Sequence, residues 1–109
     1  MPRIKLRALT IKVINLINRS AEIAIYIDDN KYRGKGFSKE ATVQTLRLGF
    51  YKLGLHRIYL IVIDDNEIAN KLYASIVFIK EGANRESVFK NNCLKNEIVS
   101  GILRSEYHG

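Results

Sequence analysis

The residues of this chain with most capacity for chemistry lie in a short loop and a helix further along. The loop is Tyr32-Arg33-Gly34-Lys35-Gly36-Phe37-Ser38-Lys39. Two glycines one residue apart let the backbone turn tightly and come close to a ligand. Arg33, Lys35 and Lys39 make the neighbourhood positive. A helical pattern begins inside the loop, and a helix N-terminus with free N–H groups beside cations suits a phosphate. Further along, Asn66, Asn70 and Tyr73 share a short amphipathic segment. Spacing alone makes Tyr73 an ordinary helix residue packing on a sheet.

Known phosphate loops do not match outright. A Walker A loop ends in Gly-Lys-Ser/Thr, which Gly36-Phe37-Ser38 does not supply. A dinucleotide fingerprint needs a third glycine where Lys39 stands. Asp28, Asp29, Asp64 and Asp65 read as turn and cap residues, so no metal site is expected. His56 reads as a polar residue at a strand start, and His108 lies in a polar tail. Cys93 is the single cysteine, which excludes an intramolecular disulfide and a cysteine-rich zinc site.

The elements around these residues follow from periodicity. Residues 4–8 alternate weakly, and residues 11–17 and 22–27 form two β-type runs joined by Asn18-Arg19-Ser20-Ala21, a hairpin signal. From Gly36 to about Leu53 the pattern is helical, with Val43, Leu46, Phe50 and Leu53 in one stripe and Gly54 at the position of a helix stop. Residues 57–63 are continuously apolar after Arg57 and read as a central strand covered on both faces. A second helix spans residues 67–76, with a short strand at 77–80 and a loop at 81–84. Strands at 85–89 and 97–103 join through Lys90-Asn91-Asn92. The order predicts an α/β domain with a mixed, mostly antiparallel sheet and helices on its faces, with residues 1–109 forming a single domain.

The chain has 109 residues, 47% hydrophobic and 27% charged, with a single proline, which is a globular composition. No apolar run reaches the length of a membrane span, and no signal peptide is evident, so a cytoplasmic setting without membrane attachment is expected. The formal net charge is +7, which favours anionic partners. The cations are scattered, so nucleic acid ranks below a phosphate-bearing ligand as the partner.

Arg33-x-x-Gly36-x-Ser38 resembles the Arg/Gln-x-x-Gly-x-Gly/Ala signature of GNAT-type N-acetyltransferases, with Ser38 in place of the usual Gly or Ala. The stretch from Asn66 through Ala69, Leu72 and Tyr73 to Phe78 is similar to that family's Asn-x-x-Ala-x-x-Leu-Tyr-x-x-x-Gly-Phe, with Val77 where the glycine stands. The end, Ile102-Leu103-Arg104-Ser105-Glu106-Tyr107, looks like the closing strand of the branch that acetylates polyamines, amino sugars and ribosomal-protein N-termini. The resemblance covers residues 13–107.

The resemblance implies acetyl transfer from acetyl-CoA to a primary amine, of a small molecule or a protein N-terminus. The main chain of Ile25, Tyr26 and Ile27 would pair with the pantetheine arm. Arg33, Gly34, Lys35, Gly36, Phe37 and Ser38 would hold the pyrophosphate, and Asn66 and Asn70 would lie near the pantetheine. Tyr73 would be the general acid toward the CoA sulfur, since a phenol is protonated at neutral pH. Glu22 is a candidate base, against the plainer reading of a solvated strand carboxylate. The aligned position of a glutamate found in some relatives is Ile61.

Family members carry two helices that wall the acceptor site before the hairpin. Here Ile4-Lys5-Leu6-Arg7-Ala8-Leu9-Thr10, itself similar to the family's first strand, runs almost directly into the hairpin. The expectation is a shortened reading frame or an internal deletion that keeps the acetyl-CoA half and lacks most of the acceptor half. An exposed sheet edge and apolar face would then favour a homo-oligomer. The competing readings are a small basic nucleic-acid-binding module, resting on charge and on Tyr26, Tyr32 and Phe37, and an inactive oligomerising fragment.

Overall fold

The computed structural model describes residues 6–27 and 37–108, with residues 6–13, 25–27, 37 and 38 described as backbone. Strand β1, Leu6–Asn15, merges two runs that the sequence separates. It pairs antiparallel with β2, Ser20–Ile27, from Leu6↔Ile27 to Asn15↔Ser20. Register shifts at Leu6/Ala8 and Ile11/Val13 each absorb an irregularity, so one ladder spans the whole length. The turn lies earlier than the sequence suggests. Asn18 N–H donates to Asn15 Oδ1 at 2.9 Å, and Arg19 takes a φ of 54°. Leu16 and Ile17 therefore sit in the turn, exposed, while Ala21 is buried in β2.

Helix α1 spans Phe37–Arg47 and passes into a π-helical turn, Leu48–Lys52. Leu53 N–H reaches back to Leu48 O at 3.1 Å. The predicted single helix is thus widened in its last turn. Gly49 explains the seat of that turn, since a Cβ there would stand 2.6 Å from Ile58 Cδ1. Leu46 and Phe50 are fully buried, whereas Leu53, the last residue of the expected stripe, is exposed. Gly54 has a φ of 66°, the left-handed stop its position predicts.

Strand β3, Arg57–Ile63, lies at the centre of the five-stranded order β1-β2-β3-β5-β4. Helix α2, Glu67–Ala74, follows it. Strands β4, Ile79–Lys90, and β5, Cys93–Leu103, form a long antiparallel hairpin. The expected loop at 81–84 is strand, because irregularities between Lys80 and Gly82 and between Asn84 and Val88 let β4 keep pairing through it. The β2–β3 pair is parallel and the other pairs are antiparallel, which gives the mixed, mostly antiparallel sheet predicted. A 3₁₀ turn, Arg104–Glu106, closes the described chain.

One core unites these parts. Leu46, Phe50 and Leu55 pack with Ile58, Leu60 and Ile102, and Ala21, Ile23, Tyr73, Ile76 and Phe78 complete the cluster. Ile58, Leu60 and Ile102 alternate with Tyr59, Ile61 and Gly101, which face the other way. Among the described residues both helices lie on one face. Tyr59 and Ile61 are only partly covered on the other, so β3 is not enclosed on both sides as its apolar run predicts.

Candidate active site

The parallel strands β2 and β3 part company. They pair at Ser20↔Arg57, Ala21↔Ile58 and Glu22↔Tyr59 and no further, though β2 runs on to Ile27 and β3 to Ile63. The two strands thus bound a wedge whose main-chain edges make no ladder with each other. A cleft of about 240 Å³ occupies it. Its walls are Glu22, Ile23 and Ala24 of β2 and Leu60, Ile61, Val62 and Ile63 of β3. On the helical side Asn66, Ala69 and Tyr73 border it, and Lys90 reaches it from the tip of the β4–β5 hairpin.

Helix α2 aims its polar groups by local hydrogen bonds. Asn66 is the N-cap, its Oδ1 accepting from Ala69 N–H at 3.2 Å. That cap frees the helix start to face the wedge without an unsatisfied first turn. Asn70 stands a turn later and donates its Nδ2 to the carbonyls of Asn66 at 3.0 Å and of Ile63 and Asp64, each at 3.4 Å. It borders a separate hollow with Asp64, Ala74 and Phe78. The structure therefore brings Asn66 to the wedge and makes Asn70 a brace of the β3–α2 turn.

Tyr73 is buried, 9% exposed, on the face of α2 that lines the cleft. Its ring meets Phe78 edge-on, centroids 5.8 Å apart. After α2 the chain reverses through Val77, whose φ of 76° is left-handed. A β-branched residue there is strained, which is the consequence expected of a valine in a glycine's place.

The other anticipated residues fall in three groups. Ile25, Tyr26 and Ile27 extend β2 along the wedge, their opposite edge paired to Leu9, Ala8 and Leu6. Phe37 and Ser38 open α1. Arg33, Gly34, Lys35 and Gly36 lie outside the described residues, as do Tyr32, Asp28 and Asp29. Helix α2 follows β3 closely and its N-cap Asn66 lines the cleft, so its start lies toward the open, C-terminal end of the wedge, where an anion is favoured. Glu22 lines the cleft. His56 is exposed, and its main-chain N–H bonds Arg19 O at 2.7 Å. His108 is exposed as well. Asp65 pairs with Lys95 at 3.1 Å. The hydrogen bond to Asp65, and then its charge, hold the Lys95 ammonium above the ordinary lysine range. Sequence reasoning missed Lys90, because only the hairpin's course brings it back to the wedge.

The wedge fits an extended polar arm. A chain of amides laid between β2 and β3 could bond main-chain groups as an added strand does. The apolar walls would exclude water, and Tyr73 would border the arm. Among the described residues no helix is long and apolar enough to cross a membrane.

Comparison with known proteins agrees with this geometry. A family model described as acetyltransferase (GNAT) domain matches residues 8–78. The spermidine N(1)-acetyltransferase of Escherichia coli (strain K12) is 35% identical over 94 residues, covering 86% of this chain and 50% of that protein. The Vibrio cholerae spermidine N(1)-acetyltransferase is 38% identical over 94 residues, covering 86% and 54%. A dodecameric structure of spermidine N-acetyltransferase from Vibrio cholerae superposes with a TM-score of 0.80 at 38% identity, over 86% of this chain and 54% of that one. The chain spans about half the length of the curated relatives it matches.

Proposed function

Because the chain belongs to the acetyltransferase (GNAT) family, we propose that it binds acetyl-CoA in the wedge between β2 and β3 and carries the acetyl group to a primary amine. The observation that supports this most is the parting of two parallel strands after Glu22↔Tyr59, with Tyr73 in the lining of the cleft between them. Residues 1–109 form one such domain in this reading.

The roles of the residues are taken from the family resemblance. The main chain of Ile25, Tyr26 and Ile27 pairs with the pantetheine arm. Arg33, Gly34, Lys35, Gly36, Phe37 and Ser38 receive the pyrophosphate beside the start of α1. Asn66 holds the start of α2 against the arm, and Asn70 keeps Asn66 in place. Tyr73 donates a proton to the departing sulfur as the amine takes the acetyl group. Glu22 is placed to attract the incoming amine.

The names of the relatives carry spermidine, so a small-molecule amine, and a polyamine first, is the acceptor to test rather than a protein N-terminus. The dodecameric relative supports assembly of this chain into a homo-oligomer. A cytoplasmic setting is part of this reading. No observation favours the nucleic-acid reading. Acetyl transfer from labelled acetyl-CoA to spermidine tests the proposal: acetylated product supports it, and unchanged substrates beside bound acetyl-CoA confine the chain to cofactor binding.

A further inference from the structure

Lys90 carries a primary amine into the lining of the same cleft as Tyr73. It closes the β4–β5 hairpin opposite Cys93, across a turn in which Asn91 and Asn92 take φ of 54° and 60°. Such a turn fixes the register of the strands it joins. The hairpin is tied to the β3–α2 turn by the Lys95–Asp65 ion pair at 3.1 Å and by Asp64 N–H donating to Asn96 O at 3.0 Å. Lys90 therefore comes to the cleft on a braced arm. Among the described residues it is the one lysine in the cleft lining.

Register sets the side from which it comes. Glu97 and Val99 of β5 pair with Ile63 and Ile61, on the sheet face opposite the helices. Two and four residues before Glu97, Lys95 and Cys93 share that face. Lys90, paired with Cys93, shares it too. Tyr73 lines the cleft from the helical face. Because β2 and β3 do not pair beyond Glu22↔Tyr59, the sheet is open between them. A thioester held in that opening would have a phenol on one side and a primary amine on the other. A lysine side chain is a primary amine on a flexible four-carbon stem. A polyamine ends in the same group on a similar alkyl stem, so a site suited to one suits the other.

We propose that Lys90 is an acetyl acceptor within the chain itself, modified from acetyl-CoA bound in the wedge. The inference rests on the wedge being the acetyl-transfer site, and it adds a tethered amine to the free amine of that reading. The Lys90 ammonium gives one proton to water, and its Nζ attacks the acetyl carbonyl carbon. The N–C bond forms and the C–S bond breaks. The sulfur keeps the bonding pair and takes a proton from Tyr73, and the second proton leaving Nζ restores the tyrosine through solvent. The products are an acetylated lysine, the CoA thiol and one proton in solution, with nothing oxidised or reduced. The amide that results is neutral, so the cleft mouth loses a positive charge. Tethering places the amine at the thioester at a far higher effective concentration than a lysine elsewhere on the surface.

The test incubates the full chain with acetyl-CoA and no added amine, and follows each lysine by peptide mass spectrometry. Lys90 is expected to be acetylated about tenfold or more faster than Lys52 and Lys71, which are exposed and lie outside the cleft lining. Its rate should saturate with acetyl-CoA, fall about fivefold or more in excess CoA, and hold constant when the chain is diluted about tenfold. Lys52 and Lys71 should show neither saturation nor suppression by CoA. Lys90→Arg, which keeps the charge, should abolish the fast phase of acetyl incorporation. Lys90 labelled no faster than Lys52 and Lys71, a rate that CoA does not lower or that falls on dilution, or a fast phase that persists in Lys90→Arg overturns the inference. Saturable acetyl-CoA binding by the same sample would then leave the acetyltransferase reading intact. A chain that does not bind acetyl-CoA overturns both.

Discussion

The ring of Tyr73 stands edge-on to that of Phe78, centroids 5.8 Å apart and planes at 74°. The Tyr73 carbonyl accepts from both Ile76 N–H at 3.1 Å and Phe78 N–H at 3.2 Å. The end of α2 is therefore wrapped back on itself, and Phe78 supports the phenol ring from the core side. That support lets a residue on a short helix hold a fixed position beside the cleft.

Tyr73→Phe keeps the ring and its edge contact and removes only the hydroxyl. Loss of a general acid is expected to lower kcat by about 100-fold. The acetyl-CoA Kd should stay within about threefold, since uniform binding is untouched. Steady-state kinetics together with calorimetry check this, and a large loss of affinity would make Tyr73 structural instead.

Val77→Gly should stabilise the protein. A non-glycine residue held left-handed costs about 1–3 kcal/mol, and the greater freedom of glycine in the unfolded chain offsets part of the relief. Val77 is 57% exposed, so little packing is lost. A urea midpoint that rises by the equivalent of about 1 kcal/mol, with an unchanged slope, is the expected result.

Gly49→Ala should act in the opposite direction. The new Cβ would press on Ile58 Cδ1, a fully buried side chain with little room to yield. Overpacking of this kind costs about 1–3 kcal/mol and should unseat the π turn that carries Phe50. Thermal melts of both proteins would read the difference.

The Lys95–Asp65 pair gives the hairpin a pH signature. Its folded-state pKa is raised by the hydrogen bond to Asp65 first and the Asp65 charge second. A raised lysine contributes fully below its unfolded pKa of about 10.4, and the contribution fades as pH rises through the higher folded value. Amide exchange at the hairpin should therefore differ between the native chain and Asp65→Asn by a constant factor from about pH 6 to 9, and the two should approach each other only as pH rises beyond about 10.4 through the raised folded value. The effect should shrink in high salt, because the pair is exposed.

Much of this arrangement was legible in the sequence. The helical stripe of Leu46 and Phe50 and the glycine stop at Gly54 are local signals, and the structure keeps them. Where the sequence misled, tertiary pairing won. Leu16 and Ile17 look like strand residues but lie in a turn, because the β1–β2 register places Asn15 opposite Ser20. Residues 81–84 look like a loop, yet β5 pairs with them as a bulged strand. Asn66 and Tyr73 could be picked out through the family resemblance, since spacing alone makes Tyr73 an ordinary helix residue. Asn70 could also be picked out, but its three carbonyl partners are visible only in the folded turn. Lys90 carried no signal at all, since the cleft it lines is built from strands distant in sequence.

The central claim is that the parted strands hold acetyl-CoA, and isothermal titration of the chain with acetyl-CoA tests it most directly. The account predicts saturable binding, one acetyl-CoA per chain, at micromolar affinity, a Kd of roughly 1–100 μM, that weakens when Ala69 in the cleft wall is replaced by a bulky residue. No heat of binding at acetyl-CoA concentrations approaching about 1 mM would contradict it.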